Sequence, residues 1–198
     1  MGAILLPDCT LFPHGALPLH IFEERYRRML SEALEGDCLF CVGSLTSEES
    51  TNLGECTAPI GTASLIRASR EHPDGRSDLI LHGVCRVRFC EWLPGKPYPF
   101  ARIEPLVSVN LPEKESIRQA KRLREVVERV LLGFPKEVIT QVRDLLDRAT
   151  DPPIMADAVA QQFVHDPALR RELLEEPDVA SRIDLLIDHL RNLRSGKS

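Results

Sequence analysis

The hydrophobic pattern of the chain changes near residue 110, and this change constrains the fold more than any other feature. Before it, apolar residues form short runs with strand-like spacing, and after it they recur at helical spacing. A chain of 198 residues can hold one large domain or two small ones. We therefore predict an α+β protein with a β domain over residues 1–110 and a helical bundle domain over 111–198.

The first part contains five or six short segments that favour strands and one early helix, over 23–34. Pro73-Asp74-Gly75 separates the two longest of these segments and indicates a hairpin turn. The polar stretch 46–59 is typical of a loop. Short strands with a single inserted helix predict a small mixed or antiparallel sheet that curls into a partial barrel. The strand candidates are 3–12, 16–19, 38–45, 61–69, 79–92 and 100–107.

The second part predicts four or five helices with short connections, which is the pattern of a bundle. Proline and Asx residues mark the helix starts at Pro135, Pro152, Asp166-Pro167 and Pro177-Asp178. The stripe predicted to face inward on the first of these helices consists of Ile117, Ala120, Leu123, Val127, Val130 and Leu131.

Charge argues against binding to nucleic acid or to an anionic membrane, because the formal net charge is -5. One helix near residue 120 is locally basic, but glutamates are interleaved with its cations, as on a solvated helix face. The cations are Arg118, Lys121, Arg122, Arg124 and Arg129. No targeting segment or membrane-spanning run of roughly 20 apolar residues is visible, so we expect a cytoplasmic protein.

The six cysteines are expected to be reduced thiols. Cys38 and Cys41 would point to opposite faces of a strand, which disfavours a chelating pair. The six histidines include no pair at metal-ligand or catalytic spacing. We therefore predict no metal, no cofactor and no catalytic residue.

Several motifs, in order along the chain, resemble the N-terminal substrate-recognition domain of Lon-type ATP-dependent proteases. The resemblance covers nearly the whole chain and is specific over 11–35 and 60–106. It implies a PUA-like β domain followed by a helical part. The motifs are Leu11-Phe12-Pro13, Leu17-Pro18-Leu19-His20-Ile21-Phe22-Glu23, Arg25-Tyr26-Arg27, Glu35-Gly36-Asp37, Ile60-Gly61-Thr62-Ala63, Leu81-His82-Gly83-Val84-Cys85-Arg86-Val87-Arg88 and Ala101-Arg102-Ile103-Glu104-Pro105-Leu106.

In full-length Lon proteases this domain precedes an AAA+ ATPase and a Ser-Lys protease domain. The chain has no glycine-rich phosphate loop and no lysine in a comparable serine-bearing context. It starts with Met1 and looks complete, and it resembles the standalone Lon-domain (peptidase S16 Lon domain) proteins of bacteria. The resemblance implies a non-enzymatic recognition module that acts in protein quality control. Such a module would bind unfolded or exposed segments of protein substrates, or dock to proteolytic machinery such as an ATP-dependent protease.

The segment 20–28 is the best candidate for substrate binding, because aromatic and arginine side chains are the usual anchors of interfaces. Alternatively, its two aromatic residues pin the helix to the sheet, or an exposed sheet edge captures a peptide as an added strand. An RNA- or small-ligand-binding PUA-like protein is the alternative function, and a hydrolase with an unrecognised site also stays open. The candidate residues are His20, Phe22, Glu24, Arg25, Tyr26 and Arg28.

Overall fold

The chain divides after Leu106 into two compact units, which we call the β unit and the helical unit. The computed structural model describes residues 1–47, 50 and 52–194. The β unit holds a six-stranded mixed sheet, and the helices of the second unit follow it in sequence. The predicted α+β class is confirmed.

The sheet of the β unit has the strand order β1-β3-β4-β5-β2, with β6 also paired to β5. The pairing of β1 with β3 is parallel, and the other pairings are antiparallel. The bounds are β1 Ala3–Pro7, β2 Ala16–Ile21, α1 Glu24–Glu35, β3 Leu39–Leu45, α2 Leu53–Cys56, β4 Ile60–Glu71, β5 Ser77–Trp92 and β6 Ala101–Pro105.

Strand β5 is long enough to pair with two strands on its second edge. Its first part pairs with β2 and its last part with β6. An isolated bridge between Gly2 and Phe100 then joins the start of β1 to the chain just before β6. This bridge brings the start of β1 beside the segment that leads into β6.

Helix α1 packs on one face of this sheet through an apolar stripe. Tyr26, Met29 and Leu30 join a buried cluster that includes Leu79 and Leu81 of β5. The stripe arises because residues three and four apart share a helix face. The opposite face of β2, β4 and β5, which we call the outer face, is not covered by α1.

The prediction of a loop over 46–59 is wrong in part, because α2 lies within it. Its N-cap is Asn52, whose side-chain oxygen accepts a hydrogen bond from the backbone N–H of Gly54. A single turn of helix is too short to show a periodic apolar pattern, which explains why the sequence did not indicate it. Residues 48, 49 and 51 of this stretch lie outside the described residues.

The helical unit contains five helices within its described part, and the predicted start signals match its caps. Asp166 accepts a hydrogen bond from the N–H of Leu169, and Asp178 accepts one from the N–H of Ser181. The bounds are α3 Glu113–Leu131, α4 Lys136–Arg148, α5 Pro152–Phe163, α6 Pro167–Glu175 and α7 Val179–Arg194. No helix in the described part of the chain is long and apolar enough to cross a membrane.

The inward position predicted for Ile117 is wrong, because this residue is 66% exposed. Gln119, two residues later, is buried in its place at the start of α3. The first buried apolar residue of α3 is Leu123. Ile117 fits the helical spacing of the apolar stripe. In the first turns of a helix, however, a residue at that spacing can lack a neighbouring element to pack against.

Candidate functional site

A groove of about 520 Å³ lies where β2, β5 and β4 run side by side on the outer face of the β unit. We call it the outer groove. Successive side chains of a strand point to opposite faces of the sheet. The sequence neighbours of residues that pack into the core therefore lie on the outer face. The groove is lined by Pro18, Leu19, His20, Ala68, Ser69, Arg70, Asp78, Leu79 and Ile80.

The strand register arranges the exposed side chains of the outer groove in two rows. Ile80 is paired with Pro18 on one side and with Ala68 on the other, which makes an apolar row across three strands. Ile80 is 46% exposed, whereas Leu79 and Leu81 on either side of it are buried. The apolar row is therefore a surface feature that the core does not use.

The second row is polar and lies one register step away. Asp78 is paired with His20 of β2 and with Arg70 of β4. His20 Nδ1 lies 2.6 Å from one carboxylate oxygen of Asp78, and His72 Nε2 lies 2.7 Å from the other. These hydrogen bonds from His20 and His72 lower the pKa of Asp78. An apolar strip with a polar rim resembles the centre and edge of a protein interface.

Of the six predicted site residues, His20 lines this groove, and Phe22 lies next to His20. Phe22 follows β2, is 61% exposed, and stacks on the His20 ring with 6.3 Å between centroids. A ring this exposed does not pin α1 to the sheet, so that alternative does not apply to Phe22.

Tyr26, in contrast, is buried in the core, with 3% of its surface exposed. Its hydroxyl donates to the Leu5 carbonyl oxygen at 3.4 Å, and burial raises the pKa of the phenol. Its ring packs α1 against the sheet, which corrects its use as a surface anchor. Arg25 is exposed, forms an ion pair with Glu23 at 2.8 Å and covers the Tyr26 ring at 4.5 Å.

Glu24 and Arg28 belong to a different and more polar groove, between α1 and the β4–β5 hairpin. Its volume is about 610 Å³, and Arg27 lies in it against Gly75 of the turn. Arg28 is also held by Glu32, at 3.1 Å. The six predicted residues therefore do not form one site. His20 lines the outer groove, Tyr26 lies in the core, and Glu24 and Arg28 line this helix-side groove.

The basic residues predicted on α3 are largely matched by acidic partners. Carboxylates contact three of its arginines, which reduces the positive field that a nucleic acid would need. Arg118 contacts Glu115, Arg122 contacts Asp184 and Arg124 contacts Asp147. This pairing favours the solvated face over the nucleic-acid alternative.

Cys41, one of the two cysteines of the Cys38–Cys41 segment, carries little reactive thiolate. Cys41 is fully buried, and burial raises the pKa of its thiol to about 12. Cys38 stands just before β3, at a positive φ of 58°. A thiol with so high a pKa is a poor nucleophile at neutral pH.

The family model of the ATP-dependent protease La (LON) substrate-binding domain matches residues 2–192, which is nearly the whole chain. The chain belongs to this family. The resemblance predicted from the motifs of the first part is thereby confirmed.

Relatives of this Lon substrate-binding domain chain include full Lon proteases. The Lon protease of Geobacter metallireducens is 28% identical over 193 residues, a match that covers 94% of this chain and 23% of that protein. The Lon protease of Escherichia coli K12 is 25% identical over 187 residues, covering 92% of this chain and 23% of that protein. The chain thus spans about 23% of the length of these curated relatives.

Solved structures of Lon N-terminal domains share the fold of the chain. The N-terminal domain of the Mycobacterium avium complex Lon protease superposes with a TM-score of 0.77 at 16% identity, covering 96% of this chain and 97% of that chain. The Lon N-terminal domain protein from Xanthomonas campestris gives 0.66 at 19% identity, covering 95% and 96%. At these identities the likeness concerns the fold.

Sequence reasoning missed Ile80, Asp78 and His72 as members of the candidate site around the outer groove. His20 and Asp78 are separated by 58 positions and meet only through the β2–β5 register. Ile80 could have been found from the sequence, because it lies between Leu79 and Leu81 in a strand. If those two residues face the core, the isoleucine between them must face solvent, where an alternating pattern would place a polar residue.

Proposed function

We propose that the chain is a non-catalytic recognition module that binds unfolded or exposed segments of protein substrates in its outer groove. Membership of a substrate-binding domain family supports this class of function. The single observation that carries the proposal is the exposed apolar row of Pro18, Ile80 and Ala68, which crosses three strands. Docking to an ATP-dependent protease is the matching proposal for its cellular partner.

The chemistry of the outer groove fits an extended segment that carries apolar side chains. Ile80 provides the centre of the groove, and exposed Phe22 adds an aromatic contact beside the His20 ring. Arg70 and Asp78 supply a charged rim of both signs. A rim of mixed charge imposes little selection on the net charge of a segment, as suits a receptor for many unfolded chains.

Contacts through the face of the sheet suit this groove better than addition of a strand at its edge. Strand β2 lies at the end of the order β1-β3-β4-β5-β2, so one of its edges faces away from β5. Pro18 has no N–H to donate, and a proline in an edge strand commonly places its nitrogen toward solvent. An incoming strand would therefore lack a hydrogen-bond donor at the middle of β2.

The expected affinity is low. Full burial of an isoleucine or phenylalanine side chain is worth about 1.5–3 kcal/mol, and about half of that remains for Ile80 and Phe22 to gain. Two such anchors leave a few kcal/mol, before the cost of ordering a flexible ligand is subtracted. Two anchors alone therefore bind weakly, and affinity in roughly the micromolar range, about -8 kcal/mol, requires several such contacts along one chain.

The test is fluorescence anisotropy with a dye-labelled, chemically unfolded polypeptide at about 50 and about 200 mM salt, with single-stranded RNA as a parallel probe. We expect saturable polypeptide binding that survives the higher salt. Ile80→Thr should weaken it about fivefold, corresponding to about 1 kcal/mol. Ile117→Thr is the matched control, because Ile117 is also exposed but lies on α3 of the helical unit.

Equal loss in both isoleucine variants would contradict the outer groove as the binding surface. RNA binding that collapses with salt, with no polypeptide binding at either salt concentration, would contradict the recognition module itself.

A further inference from the structure

Two imidazoles and one carboxylate meet at the end of the outer groove. The β2–β5 register places His20 opposite Asp78, and the β4–β5 hairpin brings His72 back beside the same carboxylate. The hairpin is tight, because the His72 N–H donates to the Arg76 carbonyl oxygen and Gly75 has a positive φ of 77°. Three parts of the backbone therefore converge on Asp78.

The ligand atoms of these three side chains all lie within 4.8 Å of one another. Each carboxylate oxygen of Asp78 faces one ring nitrogen, at 2.6 Å for His20 and 2.7 Å for His72. The ring centroids of the two histidines are 6.1 Å apart. Each of these nitrogens donates its N–H to the carboxylate in this arrangement. In the other ring tautomer the same nitrogen would present a lone pair to an ion placed between the three groups.

Neighbouring charges leave the carboxylate available. Arg76, the cation on the hairpin, is bound to Asp74 at 2.6 Å. Arg70 lies across from Asp78 in the strand register and lines the outer groove. Asp78 therefore gives its two oxygens to imidazoles, which are themselves preferred ligands of divalent transition-metal ions.

We propose that His20, His72 and Asp78 form a binding site for a divalent transition-metal ion, with zinc as the ion that best matches two imidazoles and a carboxylate. Zinc–nitrogen and zinc–oxygen bonds of about 2.0–2.2 Å in tetrahedral geometry separate ligand atoms by roughly 3.4 Å. The two nitrogen–carboxylate pairs must therefore open by under about 1 Å, and a pair of ligand atoms as far apart as 4.8 Å must close by about 1.4 Å. All three are partly exposed, so small rotations are free and the remaining coordination position is open to water.

A bound ion would clip the edge strand β2 to the β4–β5 hairpin at the end of the outer groove. His20 belongs to β2, whereas His72 and Asp78 belong to the hairpin. This inference does not depend on the proposed function, because it concerns the ion and the three side chains alone.

The test is a titration of the full chain, without a histidine tag, with Co²⁺ at about pH 7.5, where ordinary imidazoles are largely neutral. We expect visible absorption bands that saturate at one ion per chain and disappear when Zn²⁺ is added. His72→Ala and Asp78→Asn should each weaken binding at least about tenfold, since even residues that only support a metal ligand cost roughly 10–100-fold when replaced. His165→Ala is the matched control, because His165 is exposed and outside the cluster.

A second measurement uses the unmodified chain and so does not depend on how a variant folds. Zn²⁺ should shift the ring NMR signals of two histidines in slow or intermediate exchange and leave the other four in place. Absence of Co²⁺ binding, equal binding by the His72→Ala and unmodified chains, or Zn²⁺ shifts at other histidines would each overturn the proposal.

Discussion

The buried ion pair of the helical unit allows a quantitative prediction about stability. Arg182 of α7 and Asp157 of α5 are joined at 2.9 Å, and their side chains are only 1% and 4% exposed. A second guanidinium nitrogen of Arg182 donates to the Ser108 hydroxyl at 2.7 Å. Both charges have left water, so each depends on its protein partners.

Replacing Asp157 by alanine removes the carboxylate and leaves the guanidinium charge buried. Breaking a buried pair in this way costs about 3–5 kcal/mol, whereas replacing both partners by apolar groups is often close to neutral. A domain is typically stable by about 5–15 kcal/mol, so Asp157→Ala removes a large share of that margin. The double variant Asp157→Ala/Arg182→Met should recover most of the loss.

Urea unfolding followed by far-UV circular dichroism measures the effect, because most of the helical residues lie in the helical unit. With an m-value of about 2 kcal/mol per M, a loss of about 4 kcal/mol lowers the midpoint by roughly 2 M. The fluorescence of Trp92, the single tryptophan of the chain, follows the β unit separately. Following both signals also tests whether one transition describes the whole chain.

Two results would refute this reasoning. A midpoint shift below about 0.5 M for Asp157→Ala would mean that the charges are not effectively desolvated. A double variant as unstable as the single variant would mean that lost packing, rather than the unpaired charge, causes the instability.

Two further predictions concern the β unit. Gly83→Ala should destabilise it by about 1–3 kcal/mol, because an added Cβ would lie 2.2 Å from the Phe12 carbonyl oxygen; an unchanged melting temperature would contradict this close approach. Hydrogen bonds from Lys96, Tyr98 and Arg28 lower the pKa of Glu32 from 4.5 to about 2, so its stabilisation is complete above pH 4.5 and is lost as the pH falls toward 2. Glu32→Gln should therefore lower the melting temperature at pH 7 and have progressively less effect as the pH falls from 4.5 toward 2, and a difference that persists at pH 2 would count against the network.

The sequence predicted those parts of the fold whose signals are local. The turn at Pro73-Asp74-Gly75 and the caps at Asp166 and Asp178 are each contained in a few neighbouring residues, and all three appear in the structure. Helix α2 was not predicted, because a single turn is too short to show a periodic pattern of apolar residues. The prediction for Ile117 was wrong, because the spacing of apolar residues indicates one face of a helix but not what covers that face.

The candidate site was predicted less well, because its members meet only through strand register. His20 and Phe22 were found through residue type, but nothing in the sequence pairs His20 with Asp78 across 58 positions. Tyr26 illustrates the opposite error, since an aromatic residue on an amphipathic helix fits a core and an interface equally well until its burial is known.

The register that builds the core of the β unit also builds its outer face. A slip of one residue in β5 would turn Leu79 and Leu81 outward and bring Asp78 and Ile80 into the core, at a cost that the buried cluster forbids. The apolar and polar rows of the outer groove therefore need no stabilising contacts of their own to hold their positions. For the same reason Ile80 and His72 can be replaced as tests of binding while Leu79 and Leu81 continue to fix the strand, so a loss of binding in those variants can be attributed to the surface.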